Sequence, residues 1–179
     1  YPDDRERLCT WWPGIQLCGP DNLRFQGAIW QAMLAALGLP FTKKLLVHGT
    51  ILGPGGQKMS KTVGNVVSPL EQLGKYGVDV CRYYLLGVLK TYGDCVYSET
   101  ELRETYHAHL SNNFGNLVSR LVHLAGRNGV TLDERECDPA FRETVAGYTR
   151  DIEAAYEDYR LSDAVSGVDN LITLGNRYF

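Results

Sequence analysis

The stretch from Ile15 to His48 limits the possible folds more than any other part of the chain. Ile15-Gln16-Leu17-Cys18 is a short apolar run that Gly19-Pro20 interrupts, the pattern of a strand ended by turn residues. Asp21 then reads as the N-cap of a helix from Asn22 to Leu37, with Gly38 as its stop and Pro40 just beyond. Lys44-Leu45-Leu46-Val47-His48 is a second strand, apolar enough to be expected buried on both faces. Parallel strands need a crossover of a dozen or more residues, whereas antiparallel neighbours need only a tight turn. A helix between two strands over this distance therefore predicts a parallel βαβ unit. Ligands of such sheets bind at the carboxyl ends of the strands, here Gly19 to Asp21 and His48 to Thr50.

The rest of the chain reads as helix. Ser68-Pro69-Leu70-Glu71 is a capping box with proline at the first helical position, and Gly77 closes that helix. A further helix is expected over Asp79 to Leu89. Ser98-Glu99-Thr100-Glu101 is a second capping box and opens a long helix. Leu102, Tyr106, Leu110, Phe114, Leu117, Leu121 and Leu124 recur along it at three- and four-residue steps, and Gly126 to Gly129 ends it. Asp138-Pro139 starts another helix, and Ser162 is expected to cap the last. Helices with short connections predict an antiparallel bundle from residue 98 onward. The fold class expected is α/β, then all-α, with a domain boundary near Ser98.

An apolar fraction of 44% supports a real core and argues against disorder. Net charge is −3, and Asp133 to Asp158 holds nine acidic residues against three basic ones. That balance excludes a domain gripping nucleic acid by global charge alone. The five cysteines are odd in number and too widely spaced for a metal knuckle or a disulfide framework. They read as buried or partly buried free thiols in a reducing cytoplasm. No apolar run reaches the ~20 residues of a membrane span. The chain begins Tyr1-Pro2 and ends inside an apolar-periodic segment, so it reads as a piece of a longer protein.

The lysines cluster locally: Lys43, Lys44, Lys58 and Lys61. Lys58-Met59-Ser60-Lys61-Thr62 follows the flexible run Gly53-Pro54-Gly55-Gly56 and precedes Gly64-Asn65. Glycines let such a loop take unusual backbone angles. Two ammonium groups on it suit a reaction in which a triphosphate gains negative charge at its transition state. Two lysines alone fit a solvated basic loop better.

The wider context changes that balance. His48-Gly49, the glycine-rich span, the Lys-Met-Ser-Lys-Thr run and Gly64-Asn65 together resemble the second signature of class I aminoacyl-tRNA synthetases. Trp12-Pro13, Leu17-Cys18-Gly19-Pro20-Asp21, Arg24-Phe25, Trp30, Ala32-Met33-Leu34 and Gly38-Leu39-Pro40 resemble the methionyl-tRNA synthetase family. So do Tyr76-Gly77-Val78-Asp79, Arg82-Tyr83-Tyr84-Leu85-Leu86, Asn112-Asn113-Phe114-Gly115-Asn116-Leu117 and Asn176-Arg177-Tyr178. The resemblance runs from about residue 10 to the end. It implies a partial Rossmann-like parallel sheet followed by an antiparallel helix bundle. Residues 1–97 would be the C-terminal half of a class I catalytic domain, and 98–179 the first helices of an anticodon-binding bundle.

By the same resemblance, Lys58 and Lys61 are catalytic. They would stabilise the ATP phosphates while the amino acid carboxylate attacks the α-phosphorus. Gly19, Asp21, His48, Gly49, Met59 and Ser60 join them as ATP-binding candidates, and Gln26 and Trp30 as the amino-acid pocket. Five have a plainer alternative: Asp21 as an N-cap, His48 as a satisfied core polar group, Met59 as loop packing, Ser60 as a turn cap, Trp30 as helix–sheet core. Arg24, Asn112, Asn113 and Asn116 could touch tRNA or simply face water.

The implied substrates are ATP with Mg²⁺, methionine and tRNA; the implied location is the cytoplasm. The His-Ile-Gly-His element of the family is not in this chain, and zinc is unsupported within it. The fragment alone is therefore expected to be inactive. Gln26 stands where the family carries histidine, Pro20 where lysine is common and Gln31 where proline is common. These departures leave open a paralogue using another amino acid or a non-tRNA acceptor. A non-catalytic RNA- or protein-binding module is the other alternative.

Overall fold

A computed structural model describes residues 4–129 and 138–178. The chain forms two compact units, Tyr1–Ile51 with Tyr92–Cys95, and Leu52–Thr91 with Val96–Phe179. Cys137 and the acidic residues Asp133, Glu134 and Glu136 lie outside the described residues.

In the first unit a short helix, α1 (Arg5–Trp11), precedes the sheet, capped by the Asp4 carboxylate accepting from the Arg7 N–H at 2.9 Å. β1 (Ile15–Cys18) and β2 (Lys44–Val47) pair in parallel, Ile15 opposite Lys44 and Cys18 opposite Val47, as the crossover spacing requires. Neither strand is buried on both faces: Leu17 is 65% exposed, and no β2 residue is fully buried. That departs from the expectation, because two strands with one crossover helix have too few layers to cover both sides of a sheet.

The crossover also departs from a plain α-helix. It starts as a 3₁₀ turn, Pro20–Asn22, whose N-cap is Gly19, so Asp21 lies within the turn and is not the cap. A π-helical turn, Phe25–Ile29, follows, with the Trp30 N–H donating to the Phe25 carbonyl. α2 (Trp30–Ala36) completes the crossover, and Gly38 takes the left-handed conformation at φ +64°. Such one-residue π insertions recur at functional sites.

The chain passes between units through a two-residue ribbon, β3 (Ile51–Leu52) with β4 (Cys95–Val96). The second unit is helical: α3 (Pro69–Tyr76), α4 (Val78–Tyr83), α5 (Glu99–Thr105), α6 (Gly115–Asn128), α7 (Pro139–Glu157) and α8 (Leu161–Tyr178). Further π-helical segments, Tyr84–Val88 and Tyr106–Phe114, extend α4 and α5. The serine arm of each capping box forms: Ser68 accepts from the Glu71 N–H at 3.4 Å and Ser98 from the Glu101 N–H at 3.2 Å. Asp138 caps α7, and Gly129 ends α6 in the left-handed region. The last helix begins two residues earlier than a Ser162 cap implies, at Leu161. Ser162 does not cap it; its backbone N–H instead donates to the Thr91 hydroxyl at 3.3 Å.

Tyr84 and Leu102, 0% and 1% exposed, centre this unit's core. The Tyr84 hydroxyl is used in both directions, accepting from the Ser98 N–H at 3.0 Å and donating to Glu101 at 3.0 Å. The buried hydroxyl is thereby satisfied on both sides by groups at the start of α5. Tyr97 meets its ring edge-on at 5.8 Å. Elsewhere the Tyr83 hydroxyl donates to Asp169 Oδ2, which also lies 3.0 Å from His109 Nδ1. Burial, then the bond to Asp169, pushes the Tyr83 hydroxyl far above its ordinary pKa. Close helix crossings use glycine: a Cβ on Gly167 would lie 2.6 Å from Ile152 Cγ1. Among the described residues no helix is long and apolar enough to cross a membrane.

Candidate functional site

At the end of β1, Gly19, Asp21 and His48 come together. A Cβ on Gly19 would lie 2.9 Å from Asp21 Oδ1 and 3.8 Å from His48 Cε1. The 3₁₀ turn folds the exposed Asp21 carboxylate back toward the strand end, beside Gly19. His48 is exposed, contrary to the core reading, since β2 ends before it and its side chain leaves the sheet. Its Nδ1 is 2.8 Å from the Gly49 carbonyl. A carbonyl can only accept, so Nδ1 carries the proton and Nε2 is the ring acceptor of that tautomer. An acidic side chain and a ring acceptor at a strand's carboxyl end can receive hydroxyl or amino donors of a ligand.

Gly49 is buried, and an added Cβ would overlap the Gly93 carbonyl. The Thr50 N–H is held by the Asp94 carboxylate at 2.7 Å, and the Thr50 carbonyl accepts from Cys95 N at 3.0 Å. The missing side chain at Gly49 thus serves a backbone-to-backbone approach. Asp94 is a residue that sequence reasoning missed, because its partner lies forty-four positions away and no motif marks it.

Along the crossover, Gln16, Phe25, Gln26, Ile29, Trp30 and Met33 line an open, mostly apolar depression of about 350 Å³. This brings the two pocket candidates, Gln26 and Trp30, to one place. Trp30 meets Trp12 edge-on at 6.2 Å. Trp12 is anchored by its own Nε1–H donating to the Pro40 carbonyl at 2.7 Å. Trp30 Nε1 is buried and has no hydrogen-bond partner among the described residues. A buried indole N–H without an acceptor costs free energy. Gln16, at the foot of β1, also lines the depression; the alternating strand pattern could have found it.

In the second unit, the Lys58-to-Lys61 loop is organised by one amide. Asn65 Oδ1 accepts from the Ser60 N–H at 2.8 Å, and Asn65 Nδ2 donates to the Lys58 carbonyl at 3.3 Å. Ser60 Oγ accepts from the Thr62 N–H at 3.2 Å, and the Gly64 N–H donates to the Ser60 carbonyl at 3.0 Å. Met59 packs inward, its sulfur 3.5 Å from the Val67 N–H. Lys58 and Lys61 are both exposed, so the loop consumes its polar backbone internally and leaves the ammonium groups at its surface. Asn65 was visible in the sequence only as part of a Gly-Asn pair, with no role attached.

Asn113 belongs to helix packing. It donates to Thr173 Oγ1 at 3.3 Å, and its carbonyl and side-chain oxygens both accept from Asn176 at 3.0 Å. Arg24, Asn112 and Asn116 remain exposed. Cys18 and Cys81 are buried, Cys95 is partly buried, and Cys9 is exposed, so the expectation of burial fails at Cys9. Among the described residues no three His, Cys, Asp or Glu side chains converge as metal ligands do.

Residues 2–122 match the family model of tRNA synthetases class I (M). The chain is 35% identical to the methionine–tRNA ligase of Caldanaerobacter subterraneus subsp. tengcongensis over 98% of its own length and 28% of that protein's. It is 33% identical to the methionine–tRNA ligase of Lactococcus lactis subsp. lactis over 98% of its length and 27% of the relative's. Among solved structures, Mycobacterium tuberculosis methionyl-tRNA synthetase in complex with methionyl-adenylate aligns with all of this chain and 36% of its own, at a TM-score of 0.89 and 27% identity. The chain thus spans between a quarter and a third of the length of these curated relatives.

Proposed function

Because the chain belongs to the methionyl-tRNA synthetase family of class I tRNA synthetases, we propose that it forms part of a cytoplasmic methionine–tRNA ligase. The reaction is activation of methionine: a carboxylate oxygen attacks the α-phosphorus of ATP·Mg²⁺, pyrophosphate leaves, and the aminoacyl group passes from the adenylate to tRNA. Residues 1–97 act as the C-terminal half of the catalytic domain, and 98–179 as the first helices of an antiparallel anticodon-binding bundle.

The observation that carries this reading is the Asn65-pinned loop with Lys58 and Lys61 exposed on it. Phosphoryl chemistry of this kind needs fixed positive charge where negative charge develops, and little covalent help. Ser60 and Met59 shape the loop. Gly19, Asp21 and His48 receive the nucleoside through the Asp21 carboxylate and His48 Nε2, and Gly49 shapes that wall. Gln26 and Trp30 take the amino acid side chain in the depression beside them. Gln26 and Pro20, departing from the family, favour a second reading in which another amino acid is activated.

ATP–pyrophosphate exchange by the whole protein, run with methionine and a panel of other amino acids, tests both. Methionine should give the highest kcat/KM, and Gln26→Ala should raise its KM with a smaller effect on kcat. A different preferred amino acid would replace the first reading with the second. Absence of exchange with any amino acid would remove both.

A further inference from the structure

The amino-acid depression is backed by a chain of hydrogen bonds in which two backbone groups fix the orientation of the Gln31 amide. The Thr42 N–H donates to Gln31 Oε1 at 3.1 Å, so that end of the Gln31 amide must be its oxygen. The Gln31 Nε2 group donates to the Gln26 carbonyl and to Thr42 Oγ1, each at 2.8 Å. The Gln26 carbonyl is available because the π-helical turn directs the Trp30 N–H to Phe25. Thr42 Oγ1, having accepted from Gln31, passes its own proton to Gln16 Oε1 at 2.8 Å. An N–H can only donate and a backbone C=O can only accept, so the Gln31 amide cannot turn, and the Thr42 hydroxyl, which accepts from it, directs its own proton to Gln16 Oε1.

The consequence falls on Gln16. Its oxygen is occupied, leaving its two N–H groups as what it can offer the depression it lines. Gln26 can turn its side-chain amide to either role. We propose that Gln31 and Thr42 are positioning residues that polarise this pocket, so that it selects an apolar amino acid side chain bearing a hydrogen-bond acceptor. A thioether meets that description, being apolar with a weakly accepting sulfur and no donor. A wholly hydrocarbon side chain of the same shape does not, because it leaves the donors unpaired. This rests on assigning the depression to the amino acid.

Methionine and norleucine, which differ by sulfur against CH₂, make the test. Exchange kinetics in the whole protein are measured for the unmutated form, Thr42→Val, Thr42→Ser, Gln16→Leu and the double variant. Thr42→Val keeps the shape and removes the hydroxyl, freeing the Gln16 amide to turn. Its preference for methionine over norleucine in kcat/KM should fall about fivefold, the scale of one hydrogen bond. Its kcat at saturation and its KM for ATP should stay within about twofold of the unmutated values.

Thr42→Ser should keep the preference. Gln16→Leu should lower it as Thr42→Val does, and adding Thr42→Val to Gln16→Leu should change nothing further. Thermal unfolding of each variant identifies loss of structure. If Thr42→Val fails to fold, Gln16→Leu alone must still lower the preference, or the proposal is wrong. An unchanged preference in Thr42→Val and Gln16→Leu, with Gln26→Ala still raising the methionine KM, would overturn the polarisation and leave the pocket standing. If Gln26→Ala also leaves the methionine KM unmoved, the pocket assignment fails, and this inference fails with it.

Discussion

Replacing Asn65 by alanine should disarm the lysine loop without touching either lysine. The Asn65 amide makes two bonds, one from the Ser60 N–H at 2.8 Å and one to the Lys58 carbonyl at 3.3 Å. Each is worth about 0.5–1.5 kcal/mol net of water, so alanine should weaken the ordered loop by about 2 kcal/mol. At about 1.4 kcal/mol per tenfold, that lowers the competent population by roughly thirtyfold where order is marginal. If activation requires the ordered loop, kcat in ATP–pyrophosphate exchange should fall by about 10–30-fold, with the methionine KM unchanged. Asn65→Asp keeps an acceptor for Ser60 but loses the donor to Lys58, so it should fall between. Amide hydrogen exchange at Ser60 reports the loop directly in this chain and should quicken by a similar factor in Asn65→Ala. Ser60 exchange as slow as in the unmutated chain would refute the pinning. Faster exchange with an undiminished kcat would refute the link from loop order to catalysis.

Other expectations are as direct. Lys58→Ala and Lys61→Ala should each lower kcat for activation by roughly 10²–10³-fold with little change in the amino acid KM, the scale for losing one preorganised charge contact; a raised amino acid KM at constant kcat would move the loop out of the phosphate site. In urea unfolding of this chain, Gly49→Ala should cost about 1–3 kcal/mol through overlap with the Gly93 carbonyl. Gly74→Ala, helical and with open space around it, should stabilise by up to about 1 kcal/mol, and equal effects at the two glycines would contradict the packing. Burial raises the hydroxyl pKa of Tyr83, Tyr84 and Tyr97. Unfolded tyrosines release protons near pH 10 while these hold theirs, so this stabilising contribution is full below about pH 10 and is lost as pH rises beyond it. Unfolding midpoints measured from pH 8 to 11 should decline above that point, and less steeply in Tyr84→Phe.

The elements legible in the sequence were those whose signals are local. Caps at Ser68, Ser98 and Asp138, stops at Gly77 and Gly129, and the strand–helix–strand spacing all act over a few residues, and all formed. Ser162 failed because Thr91, distant in sequence, claims its backbone. The helix after Asp21 was misjudged in kind: its 3₁₀ and π turns are hydrogen-bond patterns that a 3.6-residue stripe does not encode. At the candidate site the lysine loop stood out by composition. Asn65, Asp94 and the Gln31–Thr42–Gln16 relay did not, since ordinary polar residues reveal their partners only when folding brings distant segments together.

The Asp94 carboxylate on the Thr50 N–H carries a consequence for inheritance and for engineering. The first unit is assembled from two stretches of chain, with residues 52 to 91 belonging elsewhere. It cannot be excised as a cassette: a cut after Ile51 removes Gly93 and Asp94, stranding a backbone donor and uncovering Gly49. Recombination that swaps the early segment between relatives must carry the Tyr92–Cys95 return along with it, or accept a mismatched clasp. Folding obeys the same dependency. The clasp closes only after a long intervening stretch has been drawn in, so this unit should gain its last protection late, after the helices on either side of the return have formed.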